Sequence, residues 1–226
     1  DLARRKLDRD KVLAAVIYIL DKTFMRVGSE QYAKLNDSYG LTTLMSRHVK
    51  VSGGTVEFSY RAKGGKERSL KLADRAVTNT IKKCQEIPGY RIFRFVDEEG
   101  CASAVDSGDV NERLREITGH DFTTKDFRTW GATVTALNCF KNAGESESGS
   151  DKAIVRAVKE AAGALGNTPA TCRKYYIHPA ILDAWRDGKI GASSGPGSRR
   201  KYLSPDEVET LGILRHAKRH VRRKPA

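Results

Sequence analysis

The sequence has no hydrophobic run long enough to cross a membrane. Its longest, Val12 through Leu20, falls well short of the ~20 residues a span requires and reads as a core helix. Cysteine is scarce and unpatterned. Cys84, Cys101, Cys139 and Cys172 form no C-x-x-C pair and have no histidine at ligand spacing, so no structural zinc is expected. Such thiols suit a reduced, cytoplasmic setting. No segment joins aromatic and basic residues into the amphipathic stripe of an interfacial helix, which argues against a lipid surface. Internal repeats are also missing. The chain opens at Asp1 without Met and enters a basic helical pattern at once, so no signal peptide is expected. A natural N-terminal part is expected to be missing.

Acid is in deficit too, and this is the strongest compositional signal. Against 28 Asp and Glu stand 41 Lys and Arg, a formal net charge of +13 on 226 residues. That is more than solubility asks for. A polyanion is the simplest partner, because Lys and Arg displace counterions from a phosphate backbone. The excess thickens at the C-terminus, where Arg199 to Ala226 carry nine Lys/Arg and three Asp/Glu. With 39% hydrophobic and 31% charged residues, the chain reads as a soluble, folded protein of one main domain, 1–226.

Periodicity predicts a mainly α fold with a small antiparallel β-sheet, an α+β chain. Leu2 to Phe24 reads as an amphipathic helix with Val12, Val16, Ile19 and Leu20 on one face. Ser38-Tyr39-Gly40 breaks the chain, and a short helix is expected up to His48. Val51, Val56, Phe58 and Tyr60 alternate as in strands, with turns at Gly53-Gly54 and Gly64-Gly65. Three short strands are therefore expected over 49–72. Helix follows over Asp74–Ile87, stopped by Pro88-Gly89, and Arg91–Val96 could be one more strand. Helices are then expected over Asp109–Thr118 and Thr123–Phe140, the second opened by the pair Thr123 and Asp126. Gly144–Gly149 reads as a loop. Ile154, Val155, Val158, Ala161, Ala162 and Leu165 make a helical stripe. Thr168-Pro169 starts a helix expected over 168–180. Ala192–Ser198 is Gly/Ser-rich, and Ser204-Pro205-Asp206-Glu207 opens a basic helix over 204–224.

Breaking a phosphodiester without a metal requires a nucleophile, fixed cations around the non-bridging oxygens, and an acid for the leaving 5′ oxygen. Arginine suits the second task, because its fork pairs two oxygens and keeps its charge. Lysine suits the third. Tyrosine suits the first, since a phosphotyrosine ester keeps the bond energy for resealing. The residue types are all present, but so many cations leave the choice open on composition alone.

Five blocks narrow it. They are Thr23-Phe24-Met25-Arg26-Val27-Gly28 with Tyr32; Tyr39-Gly40-Leu41-Thr42-Thr43-Leu44; Phe58-Ser59-Tyr60-Arg61-Ala62-Lys63-Gly64-Gly65-Lys66; Thr124-Lys125-Asp126-Phe127-Arg128-Thr129-Trp130; and Leu165-Gly166-Asn167-Thr168-Pro169 leading to Arg173-Lys174-Tyr175-Tyr176. In this order they resemble the type IB DNA topoisomerase family, in its bacterial, poxvirus-like branch. The resemblance implies the tyrosine recombinase/topoisomerase IB catalytic-domain fold. It also implies relaxation of supercoiled duplex DNA without ATP, metal or other cofactor. Carried over, Tyr176 is the nucleophile forming a 3′-phosphotyrosyl intermediate. Arg26 and Arg128 clamp the phosphate, and Lys63, on a strand turn, is the general acid. Where the family places a histidine, nine residues before the nucleophile, this chain has Asn167, which keeps an N–H donor and loses a charge. Tyr32, Lys125, Lys66 and His48 are expected DNA contacts. Ser29-Glu30-Gln31 depart from the basic poxvirus pattern, so the poxvirus site preference does not transfer. The partner implied is double-stranded DNA, bound by a monomer in the cytoplasm, on the nucleoid. The family's smaller β-rich N-terminal domain is expected to be missing, with clamp closure impaired and activity weak.

Blander readings stand beside each residue. Arg26 and Arg128 could be surface or ion-pairing arginines, Lys63 a polar hairpin turn, Asn167 a helix C-cap, and Tyr176 a core tyrosine. Tyr175 competes with Tyr176, and adjacent helical residues point about 100° apart. Trp130 is expected in the core, His120 in a loop, His178 in a structural role, and His216 and His220 against DNA. Two other functions fit the same charge: a tyrosine recombinase, which usually has His-x-x-Arg where this chain has Lys125-x-x-Arg128, and a DNA-binding module without catalysis.

Overall fold

The computed structural model describes residues 1–143, 147–190 and 201–223, with side chains described as far as residue 218. The Gly/Ser stretch Ala192–Ser198, part of the 144–149 loop and the side chain of His220 lie outside the described residues. The chain divides into two compact units, Asp1–Phe127 and Arg128–Ala226.

In the first unit, helix α1 (Arg9–Thr23) buries Leu13, Val16, Ile19 and Leu20 completely. It starts seven residues later than the periodicity predicts. The Asp8 carboxylate accepts the Lys11 N–H at 2.9 Å and caps the helix there. Upstream, Arg4 is drawn into ion pairs with Asp8 and Asp10, and cations at a helix N-terminus would oppose its dipole. Helix α2 (Glu30–Asn36) follows, capped by Ser29. The helix expected before His48 is instead two 3-10 turns, Leu41–Thr43 and Ser46–His48.

The three-stranded sheet forms as the alternation predicts, β1 (Val49–Ser52), β2 (Thr55–Ala62) and β3 (Lys66–Ala73) in antiparallel order. Val56, Phe58 and Tyr60 face inward from β2. Helix α3 (Arg75–Glu86), capped by Asp74, covers the core with Val77, Ile81 and Cys84. The strand expected over 91–96 is interrupted: Arg91 makes an isolated antiparallel bridge with Met45, and β4 (Arg94–Val96) pairs with an unforeseen β5 (Ala102–Ala104). Helix α4 (Ser107–Thr118) closes this core with Val110 and Leu114.

Helix α5 (Thr124–Lys141) begins in the first unit and runs into the second. The second unit also holds α6 (Asp151–Leu165) packed on α7 (Pro169–Tyr175), and α8 (Pro179–Arg186) packed on α9 (Pro205–Arg223). Phe140 of α5 stacks on Trp185 of α8 at 4.6 Å between ring centroids. The α6 stripe is buried as expected except for Val155, which is exposed because it lies off the face carrying Ile154, Val158 and Leu165. The reciprocal cap at Ser204 forms: its N–H donates to Glu207 at 2.7 Å and its hydroxyl accepts the Glu207 N–H. Glu207 also accepts from the Trp130 indole at 3.0 Å, and Asp206 from Lys141 at 2.6 Å, fixing the start of α9 to α5. The single helix expected over 168–180 is two helices. Pro179 disfavours helical backbone at His178, and α7 ends one residue before Tyr176.

Candidate active site

Arg26 follows α1 on an extended segment held by backbone pairing. Its carbonyl accepts the Leu41 N–H at 2.8 Å, and that of Val27 accepts the Thr42 N–H at 2.7 Å. The two segments cross at Gly28 and Gly40, so closely that a Cβ on Gly40 would lie 2.5 Å from the Gly28 Cα. Arg26 itself is half-buried. Position 26 is thus fixed by the chain before and after it, independently of what its side chain binds.

Lys63 occupies the β2–β3 turn with Gly64 and Gly65, both at positive φ (80° and 73°), and the Gly65 N–H closes the turn on Ala62. Glycine makes this conformation cheap. The exposed Lys63 ammonium lies 5.1 Å from the ring centroid of Tyr32 on α2. Lys66 starts β3, opposite Ala62 and exposed. His48 is half-buried and its Nδ1 accepts the Met45 N–H at 3.1 Å. Burial, and then the charge of Arg47, hold its pKa below the ordinary 6.5, so at neutral pH it is a neutral donor or acceptor. Lys125 is exposed in the first turn of α5.

The remaining residues lie in the second unit. Arg128 of α5 is 3% exposed. Its Nη2 donates to the Leu165 carbonyl at 3.1 Å, at the C-terminus of α6. Its guanidinium carbon lies 5.1 Å from the centre of the Tyr176 ring. Burial pushes the neighbouring Cys172 thiol up to about 11, against the pull of the Arg128 charge. Asn167 follows the left-handed Gly166 cap of α6, and its N–H reaches back to the Ala162 carbonyl at 2.9 Å. This closing of the helix end is the C-cap reading of Gly166-Asn167, and it holds for the backbone. The Asn167 amide nitrogen is buried beside it.

Tyr176 sits just past α7 at φ −126° and ψ −34°, outside helical geometry, and is 9% exposed. Tyr175, the last residue of α7, is 56% exposed and lies over its neighbour Lys174. The second unit therefore brings Arg128 against Tyr176 and not against Tyr175. A permanent cation beside a phenol stabilises negative charge on that oxygen or on an ester formed there.

Two participants had no sequence signal. One is the Leu165 carbonyl, a backbone acceptor. The other is Thr133 on α5, a mid-helix threonine whose buried hydroxyl meets the backbone around Tyr176. Of the expected histidine roles, His178 is structural: its Nδ1 accepts the Ala180 N–H and caps α8. His120 lies in an exposed loop. Trp130 is half-buried. A cavity of about 620 Å³ in the first unit, lined by Arg4, Arg5, Lys11, Lys82 and Lys83 among others, includes none of the candidate residues. Among the described residues no cluster of His, Cys, Asp or Glu could hold a metal, and no helix is long and apolar enough to cross a membrane.

A family model described as eukaryotic DNA topoisomerase I, catalytic core, matches residues 1–193. The chain is 29% identical over 189 residues to the DNA topoisomerase 1B of Acanthamoeba polyphaga mimivirus, covering 80% of this chain and 56% of that protein. It is 25% identical over 191 residues to the DNA topoisomerase I of monkeypox virus and to the DNA topoisomerase 1B of vaccinia virus (strain Copenhagen). Each of those matches covers 81% of this chain and 57% of the relative. The chain thus spans a little over half the length of the relatives it matches.

Proposed function

Since the chain belongs to the DNA topoisomerase I catalytic-core family, of type IB, we propose that it cuts and reseals one strand of duplex DNA and so relaxes supercoils. The observation that carries this reading is the buried Arg128 guanidinium 5.1 Å from the Tyr176 ring. The Tyr176 oxygen attacks the phosphorus and loses its proton to water. A 3′-phosphotyrosyl ester forms as the bond to the 5′ oxygen breaks. Lys63 protonates that oxygen. Arg26 and Arg128 hold the non-bridging oxygens, and the Asn167 amide donates to one of them. The strand rotates, the 5′ hydroxyl attacks the ester, and Tyr176 is released. Bond energy is kept in the ester throughout, so neither ATP nor a metal is required. Lys125, Lys66, Tyr32 and His48 contact the DNA backbone. The catalytic domain spans both units, acts as a monomer, and works in the cytoplasm on the nucleoid.

The test is to mix the chain with supercoiled plasmid in EDTA, without ATP, and denature with SDS. The expected outcome is relaxed plasmid and a protein–DNA adduct that is lost in Tyr176→Phe and kept in Tyr175→Phe. Salt-sensitive binding with no adduct would identify a DNA-binding module instead. An adduct that persists in Tyr176→Phe would refute the nucleophile.

A further inference from the structure

Tyr176 lies in a three-residue linker, Tyr176-Ile177-His178, between α7 and α8. Such a linker would ordinarily leave a side chain poorly placed. Here it is tied down on both sides. The N–H groups of Tyr176 and Ile177 both reach the Cys172 carbonyl, at 3.0 and 3.1 Å. On the other side, one side chain takes hold of it. The Thr133 hydroxyl accepts the His178 N–H at 3.1 Å and lies 3.3 Å from the Tyr176 carbonyl, which it can donate to. Its single proton is shared with the Thr129 carbonyl at 2.7 Å, the usual back-bond of a helical threonine. Thr133 is 1% exposed, so water does not compete.

Thr133 and Arg128 stand on the same helix, five residues apart, which is about 7.5 Å of rise. Helix α5 therefore grips Tyr176 twice. Arg128 faces its ring, and Thr133 holds its main chain. A rigid element spaces the two grips, so α5 sets the ring against the cation while the end of α7 holds the linker from the other side.

We propose that Thr133 is a positioning residue for the tyrosine nucleophile: its hydroxyl fixes the linker so that the Tyr176 oxygen meets the scissile phosphate in line. The proposal rests on the functional reading above. Thr133→Val keeps the shape and removes the hydroxyl, leaving the part-buried His178 N–H without its acceptor. Misplacement of a reacting group by a fraction of an ångström to an ångström costs about 10- to 100-fold in rate.

The experiment measures the rate of SDS-trapped adduct formation on supercoiled plasmid at protein excess. It compares the native chain with Thr133→Val, Thr133→Ser and Thr133→Ala. Duplex binding is measured in the same variants carrying Tyr176→Phe. The expected result is a loss of about tenfold or more in Thr133→Val and Thr133→Ala. Thr133→Ser should recover to within about threefold of the native rate, and duplex binding should not change. If Thr133→Val does not fold, the Ser and Ala variants carry the comparison, since both leave only a small cavity. Equal rates for Ser and Ala, or a native rate for Val, overturn the positioning role alone. No adduct from the native chain overturns the functional reading, and the positioning role with it.

Discussion

Among the candidate catalytic residues, Asn167 is where the chain departs from the pattern of the family it resembles, and the physical consequences can be ranked. An amide offers an N–H to a phosphate oxygen but no charge. Its backbone is fixed by the α6 cap, and its amide nitrogen is buried. Removing one fixed donor to a transition-state oxygen typically costs 10²–10³-fold. Asn167→Ala is therefore expected to slow adduct formation by about 100-fold with little effect on stability. Asn167→Asp should be slower still, because it sets a carboxylate against a phosphate while keeping the shape. Asn167→His should stay within about tenfold of the native rate. Single-turnover cleavage of plasmid by the three variants checks the order. An aspartate variant as fast as the native chain would remove Asn167 from the site.

The elements show which parts of this arrangement could be read in advance. The β2–β3 turn was legible because Gly64-Gly65 interrupts a period-two alternation, and this located Lys63 on a strand turn. The starts of α5, α7 and α9 were legible because capping residues precede apolar stripes. Strand β5 was not, since Ala-Ser-Ala carries no apolar contrast. The division at Tyr176 was not, because the Pro179 signal lies inside an otherwise helical pattern. For the site, the five blocks indicated Arg26, Lys63, Arg128, Asn167 and Tyr176 only together. Contacts that run through backbone atoms, such as Arg128 to Leu165 and Thr133 to His178, leave no trace in sequence. The Gly28–Gly40 crossing is of the same kind, though two glycines mark it. A methyl on Gly40 would press on Gly28 backbone and on the Arg26 carbonyl, at 2.5 and 2.7 Å. Backbone cannot yield as a flexible side chain would. Gly40→Ala should therefore cost about 2 kcal/mol or more in urea unfolding. It should also slow cleavage by displacing Arg26. A variant of native stability would mean that the two segments separate without strain.

At the scale of the molecule, the charge of +13 is not a count of DNA contacts. Some of the 41 Lys and Arg are paired within the protein, Arg9 with Asp109, Arg91 with Glu30, Lys141 with Asp206 and Arg156 with Glu147, and the net figure already subtracts such pairs without saying where the excess lies. Only cations that meet phosphates release counterions, and each adds about 0.9 to the slope of log affinity against log salt. This separates binding from chemistry. For the Tyr176→Phe chain on duplex DNA, the affinity should fall steeply between about 50 and 200 mM salt. The exposed Lys125 is a candidate backbone contact, so adding Lys125→Ala should flatten the slope by about one phosphate. In the chain that keeps Tyr176, that substitution should leave the cleavage rate of bound complexes nearly unchanged. Asn167→Ala should do the reverse, keeping the slope and losing the rate, because a neutral amide releases no counterion. Equilibrium binding at four or more salt concentrations measures the slopes, and adduct formation at saturating protein measures the rates. If Lys125→Ala leaves the slope unchanged, the first turn of α5 does not lie on the DNA backbone. If Asn167→Ala lowers the slope as Lys125→Ala does, the two residues cannot be divided into one that holds DNA and one that acts on it.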